Sequence, residues 1–514
     1  MTIDFGAPIE RRPANFHGFV HAHNERVVDG SGKRLLLRGM GLGNWLLPEG
    51  YMWKFGPGAE SPREIEAVVN NLLGEELGQE FWRNFRKNFL SEDDIALIAA
   101  QEFDHVRLPI NSRVIMTDDG IPIEAGFELI DQLIEWCRKH KLWVLLDLHG
   151  APGGQTGTNI DDSPNNLPEL FMEQRYWDQT LEIWRVLASR YSSETVVLGY
   201  DLLNEPLPNE WQYKFSEDLV RLYQEITAVI RSVDSNHLIV YEGSHWATNW
   251  DIFTEIWDEN SLLQFHKYWS PPDTASIKKF LDIRDKLGLP IYMGEGGENN
   301  LEWLYTAFRL YERYEIGWNF WPWKKIDTLT SPLSVVPPSG WNRIINFAKG
   351  EEIIPRDEAI AIFDELLYNF KTENCTWRPE IISAILADNP TVIPAWGYGF
   401  YGEEESYSSQ RTHSLNGLRQ EDLVTIGYLH NGVANGMNFE QNNGRNYLAT
   451  EEIIVKLDKG DWLEFDVSAS TDLRKYAVET AEGLDSNVTL KKSERGFKLS
   501  ANESIQLLRI HRIL

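Results

Sequence analysis

The chain has 514 residues, 42% apolar and 25% charged, an ordinary globular composition with length for more than one domain. Its formal net charge of -29 works against a nucleic-acid backbone or an anionic membrane surface as main partner. It leaves a neutral partner such as a carbohydrate open.

The N-terminus, MTIDFGAPIERR, lacks the basic start and apolar stretch of a signal peptide, and no apolar run is long enough to span a bilayer. A signal removed beforehand would leave no trace, so the compartment stays open. Of the two cysteines, Cys137 sits in a helical pattern and reads as a small buried apolar residue, and two cysteines define no disulfide framework. Among the 20 Trp, the polar surroundings of Trp45, Trp53, Trp246, Trp250 and Trp269 make them candidate cleft aromatics.

In chain order, residues 19–39 read as a small hairpin turned by DGSG. Short apolar runs then recur at 35–40, 103–109, 142–148, 196–203, 237–242, 262–268, 290–295 and 316–321. Segments of helical period separate them at 126–140, 172–190, 213–233, 275–287, 299–314 and 357–370. Ser91 with Asp94 three residues on forms a capping-box pattern at another helix start. The strands are apolar on both faces, which suits parallel strands covered by helices. Eight of them alternating with helices predict an α/β fold of (β/α)8 TIM-barrel type, with a doubly wound open sheet as the alternative.

The pattern changes after residue 372. Residues 1–372 read as the barrel domain with its N-terminal hairpin, and 373–394 as a helical connector. Residues 395–514 read as an all-β, jelly-roll-like sandwich of short strands separated by Gly, Asn or Asp. The stretch 401–414 reads as a polar loop.

In a barrel all strand tips face one side. Arg107, His149, Asn204, Glu205, His266, Tyr268, Glu295 and Trp321 lie at or just beyond such tips. Glu205 and Glu295 can serve as general acid and nucleophile on an acetal. A gap of about 5–5.5 Å gives retention, and about 6.5–9.5 Å gives inversion. Arg107 and Tyr268 suit the support of an ionised carboxylate, Asn204 and His149 can hold sugar hydroxyls, and Trp321 offers a flat face to a pyranose. A metal centre from Asp147, His149, His245 and His266 is the competing reading. It lacks HxxxH or HExxH spacing, and its histidines fall on opposite sides of the ring, so neither metal nor cofactor is expected.

The motifs LLLRGMGLGNWL, HVRLP, DLHGAPGG, LLNEP, HKY, GEGG and WNFWPWK, in that order from about residue 15 to 370, resemble glycoside hydrolase family 5, specifically its exo-β-1,3-glucanase-like branch. The resemblance implies Glu205 as acid/base, Glu295 as nucleophile, and Arg107, His149, Asn204, His266, Tyr268 and Trp321 as supporting or sugar-binding residues. Many relatives carry Phe or Trp where this chain has Gly296. The segment GDWLEFDVSAS, 460–470, resembles a strand motif of family 6 carbohydrate-binding modules and implies glycan binding by the C-terminal domain. The expected activity is retaining hydrolysis of β-linked glucosides, exo-acting on β-1,3-glucan. Lipid or sterol glucosides, transglycosylation and non-catalytic glycan binding are the alternatives. The inserted segments 50–64 and 153–171 are expected to rim the cleft.

Overall fold

The computed structural model describes residues 16–158, 160–409, 417–430, 439–440, 443–485 and 487–513. The N-terminal stretch read for a signal, Asn159 of the second inserted segment and the 410–414 end of the polar loop lie outside these residues.

Among the described residues eight parallel strands close a barrel: β1 (Arg38–Gly41), β2 (His105–Asn111), β3 (Trp143–Gly150), β4 (Val197–Asp201), β5 (Leu238–Glu242), β6 (Ser261–His266), β7 (Ile291–Gly297) and β8 (Gly317–Trp321). They are the eight apolar runs of the sequence, paired in chain order with β8 returning to β1. Every strand residue is buried, as required of strands sandwiched between side chains inside and helices outside.

Strand alternation builds the interior in layers. Leu145, Val240, Leu262 and Tyr292 form an apolar floor with Val20, Val27 and Leu35 of the N-terminal hairpin, which plugs the lower mouth. Two residues further up the same strands stand Asp147, Glu242 and Gln264, and above two of these stand His149 and His266. A period of two thus carries each strand from a sealed floor to a polar top.

The helical segments form as read, with the Ser91–Asp94 capping box present at Glu92–Ala100. Two further helices, α1 (Pro62–Leu73) and α2 (Glu75–Phe89), separate β1 from β2. Ser61 and Glu64 cap the first in the same way. They bury an aromatic cluster in which Trp53 packs against Phe55, Phe81, Phe85, Trp341 and Phe370.

The C-terminal region is all β. One antiparallel sheet holds Thr425–Tyr428, Ile453–Leu457, Ile505–Arg512, Tyr476–Thr480 and Gly483–Asp485, with Val392–Pro394 beside it. The other holds Tyr407–Ser408, Trp462–Asp466, Gly496–Ala501 and Val488–Lys492. This region touches the upper rim of the barrel. Asn299, just after β7, donates to Phe439 O at 3.1 Å, and Arg419 N donates to Asp273 Oδ2 at 3.0 Å. Cys137 and Cys375 are both free thiols. Among the described residues no helix is long and apolar enough to cross a membrane.

Candidate active site

The upper mouth of the barrel opens into a cavity of about 590 Å³ lined by Glu49, Tyr51, His149, Glu205, Trp246, His266, Tyr268, Trp269, Glu295 and Trp321, among others. That volume lies in the usual range for small-ligand sites. One carboxylate oxygen each of Glu205 and Glu295, with a ring nitrogen of His266, lie within 4.8 Å of one another.

Arg107 organises the floor of the site. Its Nε donates to Asp201 at 2.8 Å, Nη1 to Glu295 Oε2 at 2.8 Å, and Nη2 to Asn204 Oδ1 at 2.9 Å and Glu242 at 3.0 Å. Asp147 lies 3.1 Å from Nη2. One fully buried guanidinium therefore faces four carboxylates. Only the rigid five-donor fork of arginine fits such a set.

Glu295 is held on both oxygens, since Tyr268 Oη donates to Oε1 at 2.6 Å. Burial raises its carboxyl, His266 and Arg107 pull it down, and the charge of Glu205 pushes it up; the net direction is upward. The half-buried Tyr268 phenol is held well above its ordinary range by desolvation and by Glu295, and stays a donor.

Glu205 follows β4 in left-handed backbone, with φ of 45°. Its backbone N–H donates to Glu242 Oε2 at 2.7 Å, which fixes this unfavourable conformation. His266 Nδ1 lies 2.8 Å from Glu205 Oε1. Burial works against the His266 imidazolium, but Glu242, Glu295 and its bonds to Glu205 and Glu242 raise it well above the usual histidine range. It therefore carries its proton and donates to Glu205. His149 is the opposite case: burial pushes it down to about 4, so it is neutral. The tautomer follows from its partners, with Nδ1–H donating to Asp147 at 2.7 Å and Nε2 accepting from Asn204 Nδ2 at 3.2 Å.

Trp321 lines the cavity, stacked on His149 with ring centroids 5.5 Å apart, and its indole N–H donates to Tyr51 Oη at 3.0 Å. The glycines of GMGLGNW make room for it. A Cβ on Gly41 would lie 2.6 Å from the Trp321 ring, and one on Gly43 also 2.6 Å. Gly43→Ala is expected to cost about 1–3 kcal/mol by overpacking and to lower kcat/KM by displacing the ring. Denaturant midpoints and steady-state kinetics on the purified variant check both. Gly296 has a similar cause: a Cβ there would lie 2.6 Å from Lys267 O, just past the end of β6.

The structure brings all eight strand-tip residues together, and Trp246 and Trp269 line the same cavity. Three other candidate cleft aromatics are corrected. Trp45, Trp53 and Trp250 are buried in the core, and their indoles donate to Arg86 O, Asn44 Oδ1 and Ala247 O. A buried indole N–H needs a polar partner, so polar sequence neighbours mark a satisfied core Trp as readily as a cleft one. Sequence reasoning also passed over Asp201, Glu242 and Gln264. Their signal was a carboxylate or amide inside an otherwise apolar strand, since such a group is buried only with a partner. Glu49 was missed too. It lines the cavity with Oε1 unpartnered among the described residues, and burial with Glu295, Glu298 and Glu205 nearby raises it well above the ordinary range.

The Glu205, His266 and Glu295 atoms are close enough to surround an ion, but a metal takes the lone pair of a neutral imidazole. Here the imidazole is already engaged with Glu205, 2.8 Å away, and the Arg107 cation adjoins Glu295. His245 of the competing metal set accepts from Asn209 N and lines a neighbouring cavity.

The family description "Cellulase (glycosyl hydrolase family 5)" matches residues 68–327, half of the chain. The chain belongs to glycoside hydrolase family 5. This family-5 chain is a glycoside hydrolase with the barrel fold of the family. It is similar to a β-xylosidase of Phanerodontia chrysosporium, 26% identical over 60% of this chain and 71% of the relative. A probable glucan 1,3-β-glucosidase A of Emericella nidulans is 31% identical over 49% of this chain and 62% of the relative. Endoglucanase C of Acetivibrio thermocellus is 27% identical over 48% and 88%. Among solved structures, an endogalactoceramidase covers 96% of this chain and 100% of its own at 14% identity and a TM-score of 0.48.

Proposed function

We propose that this family-5 hydrolase is a retaining, exo-acting β-glycosidase with Glu295 as nucleophile and Glu205 as acid/base. The observation that carries the reading is the separation of the two carboxylates, within 4.8 Å by their closest ligand oxygens. That closeness is in keeping with the short spacing of a double displacement, about 5–5.5 Å between carboxyl groups.

In the first step Glu295 attacks the anomeric carbon, and Glu205 passes a proton to the leaving oxygen. His266 Nδ1, 2.8 Å behind Glu205, orients that carboxyl for the transfer. Arg107 and Tyr268 hold the attacking carboxylate in place, and Asn204, fixed by Arg107 and His149, is positioned for a sugar hydroxyl. Glycosylation removes the charge of Glu295. Glu205 then acts as base on water, and the ester is cleaved.

The glycone is proposed to sit over Trp321, enclosed by Glu49 and Tyr51 from the loop after β1. A β-1,3-gluco-oligosaccharide is the first substrate proposed, in keeping with the Emericella nidulans relative named above. A second reading, a β-glucoside of an apolar aglycone, is favoured by the aromatic wall of Trp246, Trp269 and Phe280. The test is incubation with β-1,3-, β-1,4-, β-1,6- and mixed-linked gluco-oligosaccharides and a lipid β-glucoside, beside Glu295→Gln. Products are resolved by size, and the anomer first released is identified by NMR. Glucose released one unit at a time as the β-anomer supports the reading. An α-anomer first, or internal cleavage, refutes it.

Glycan binding by the C-terminal region is proposed on the GDWLEF strand, where Trp462 is half-buried with Lys498 Nζ 3.3 Å from its ring centroid. Full-length Trp462→Ala is expected to lose retention on insoluble β-glucan. Unchanged retention would leave the sandwich only a support for the barrel rim.

A further inference from the structure

The carboxylate pair divides the barrel mouth. On one side, β8, β1 and β3 supply Trp321, Glu49, Tyr51 and His149; on the other, the loops after β5 and β6 supply Trp246, Lys267 and Trp269. The cavity continues along this second side to Lys279 and Phe280 on the helix Thr274–Leu287. A neighbouring cavity of about 500 Å³ shares Thr248 and Lys279 with it, so the arm has room beyond a single ring.

Charge is segregated along this cavity. The charges acting on Glu49 are Glu295, Glu298, Glu205 and Lys325. Those acting on Lys267 are Asp273 and Lys279, with none of those three carboxylates among them. Lys267 also lacks a protein partner: among the described residues no acceptor lies within hydrogen-bond distance of its ammonium. Asp273, the acid that acts on it, is already engaged. Its Oδ1 accepts from Ser276 N at 3.0 Å and its Oδ2 from Arg419 N at 3.0 Å. Lys279 is tied down, donating to Thr248 O at 2.6 Å. Burial pulls the Lys267 ammonium down to about 8, with Asp273 raising it and Lys279 lowering it. The overall charge of -29 does not decide what binds here, because surface charges more than about 10 Å away are screened by salt.

We propose that this arm receives the leaving group of the substrate, and that the leaving group is an apolar, ring-sized aglycone bearing a carboxylate that pairs with the Lys267 ammonium. Trp246, Trp269 and Phe280 bury the ring. The proposal rests on the retaining-glycosidase reading in its second form, a β-glucoside of an apolar aglycone, and adds to it the charge of that aglycone.

The test uses isosteric pairs that differ in charge: 4-carboxyphenyl and 4-carbamoylphenyl β-glucosides, and free 4-hydroxybenzoate and 4-hydroxybenzamide. Affinities are measured calorimetrically on the full-length Glu295→Gln protein, and turnover on the wild type. The acid of each pair is expected to bind about tenfold more tightly at low salt, as a charge-assisted bond gives, and the preference is expected to shrink as salt rises. Adding Lys267→Met should bring the ratio to about one, while Lys267→Arg should keep it. The salt series needs no further variant, so it decides even if Lys267→Met fails to fold. Equal affinities, no binding of either acid, or a preference that survives Lys267→Met would overturn the proposal. Failure of the glycosidase reading is separate: neither those glucosides nor the oligosaccharides and lipid glucoside above would be turned over, whatever their affinities.

Discussion

Replacing Glu295 by Gln is expected to lower turnover by on the order of 10⁴-fold, equivalent to about 5.5 kcal/mol of transition-state stabilisation, in a protein that still folds. The amide is isosteric with the carboxylate but cannot form the glycosyl ester. It also disturbs its neighbours. Arg107 Nη1 and Tyr268 Oη both donate to Glu295, and an amide offers one oxygen to two donors. The amide NH₂ is left facing one of them, so some loss of stability should accompany the loss of rate. Glu205→Gln should behave differently. It is expected to cost about 10²–10⁴-fold on substrates whose leaving group needs a proton. With an activated aryl glycoside the first step survives, and a covalent glycosyl-enzyme should accumulate. Intact-mass spectrometry after mixing separates the two, because a mass gain of one glycosyl unit is expected in Glu205→Gln and none in Glu295→Gln. The reverse pattern would exchange the two roles.

Arg107→Met is expected to destabilise the fold by about 3–5 kcal/mol, the usual result of removing one partner from a buried ionic set. The guanidinium faces Asp147, Asp201, Glu242 and Glu295, all buried. Burial already raises Asp147, Asp201 and Glu295 in the native protein, with Arg107 pulling each of them down. Without it these carboxyls rise further. The sign of the pH dependence follows. A carboxyl whose folded pKa lies above its unfolded value favours folding below the unfolded value and penalises it as pH rises through the folded one. The loss in Arg107→Met should therefore be smallest at acid pH and grow as pH rises past each carboxyl's wild-type folded value, about 8 for Asp147, measurable as denaturant midpoints from about pH 4 to about pH 10. The same rise moves the acid limb of kcat/KM to higher pH, because the nucleophile must be ionised. Arg107→Lys should recover part of the stability but little of the activity, since a point charge cannot address four carboxylates as a fork does. A pH-independent loss would mean that the arginine serves only to fill space.

The barrel was legible because its signal is repetitive. Eight apolar runs separated by helical periods leave little freedom once each strand must be covered on both faces. The strand-tip residues were legible for the same reason: Asn204 and Glu205 follow one buried run, and Glu295 stands near the end of another. The helices α1 and α2 interrupt the repeat between β1 and β2, and of their residues only Pro62–Glu64 fall within the inserted segment 50–64. Trp45, Trp53 and Trp250 show a different limit, since burial depends on what packs from distant parts of the chain. Trp53 is enclosed by Phe81 and Phe85 of α2 and by Trp341 and Phe370, from far along the sequence.

What the sequence determined by itself was the order of strands and helices, and with it the side of the barrel on which His149, Glu205, His266 and Glu295 stand. Local periodicity sets these, and it is written in neighbouring residues. Only the tertiary structure decided the spacing of the two carboxylates, the four-acid shell of Arg107, the opposite protonation of His149 and His266, and the unpartnered ammonium of Lys267. Those properties depend on distances between residues far apart in the chain and on how much water remains around them. No stretch of sequence encodes either until the barrel closes.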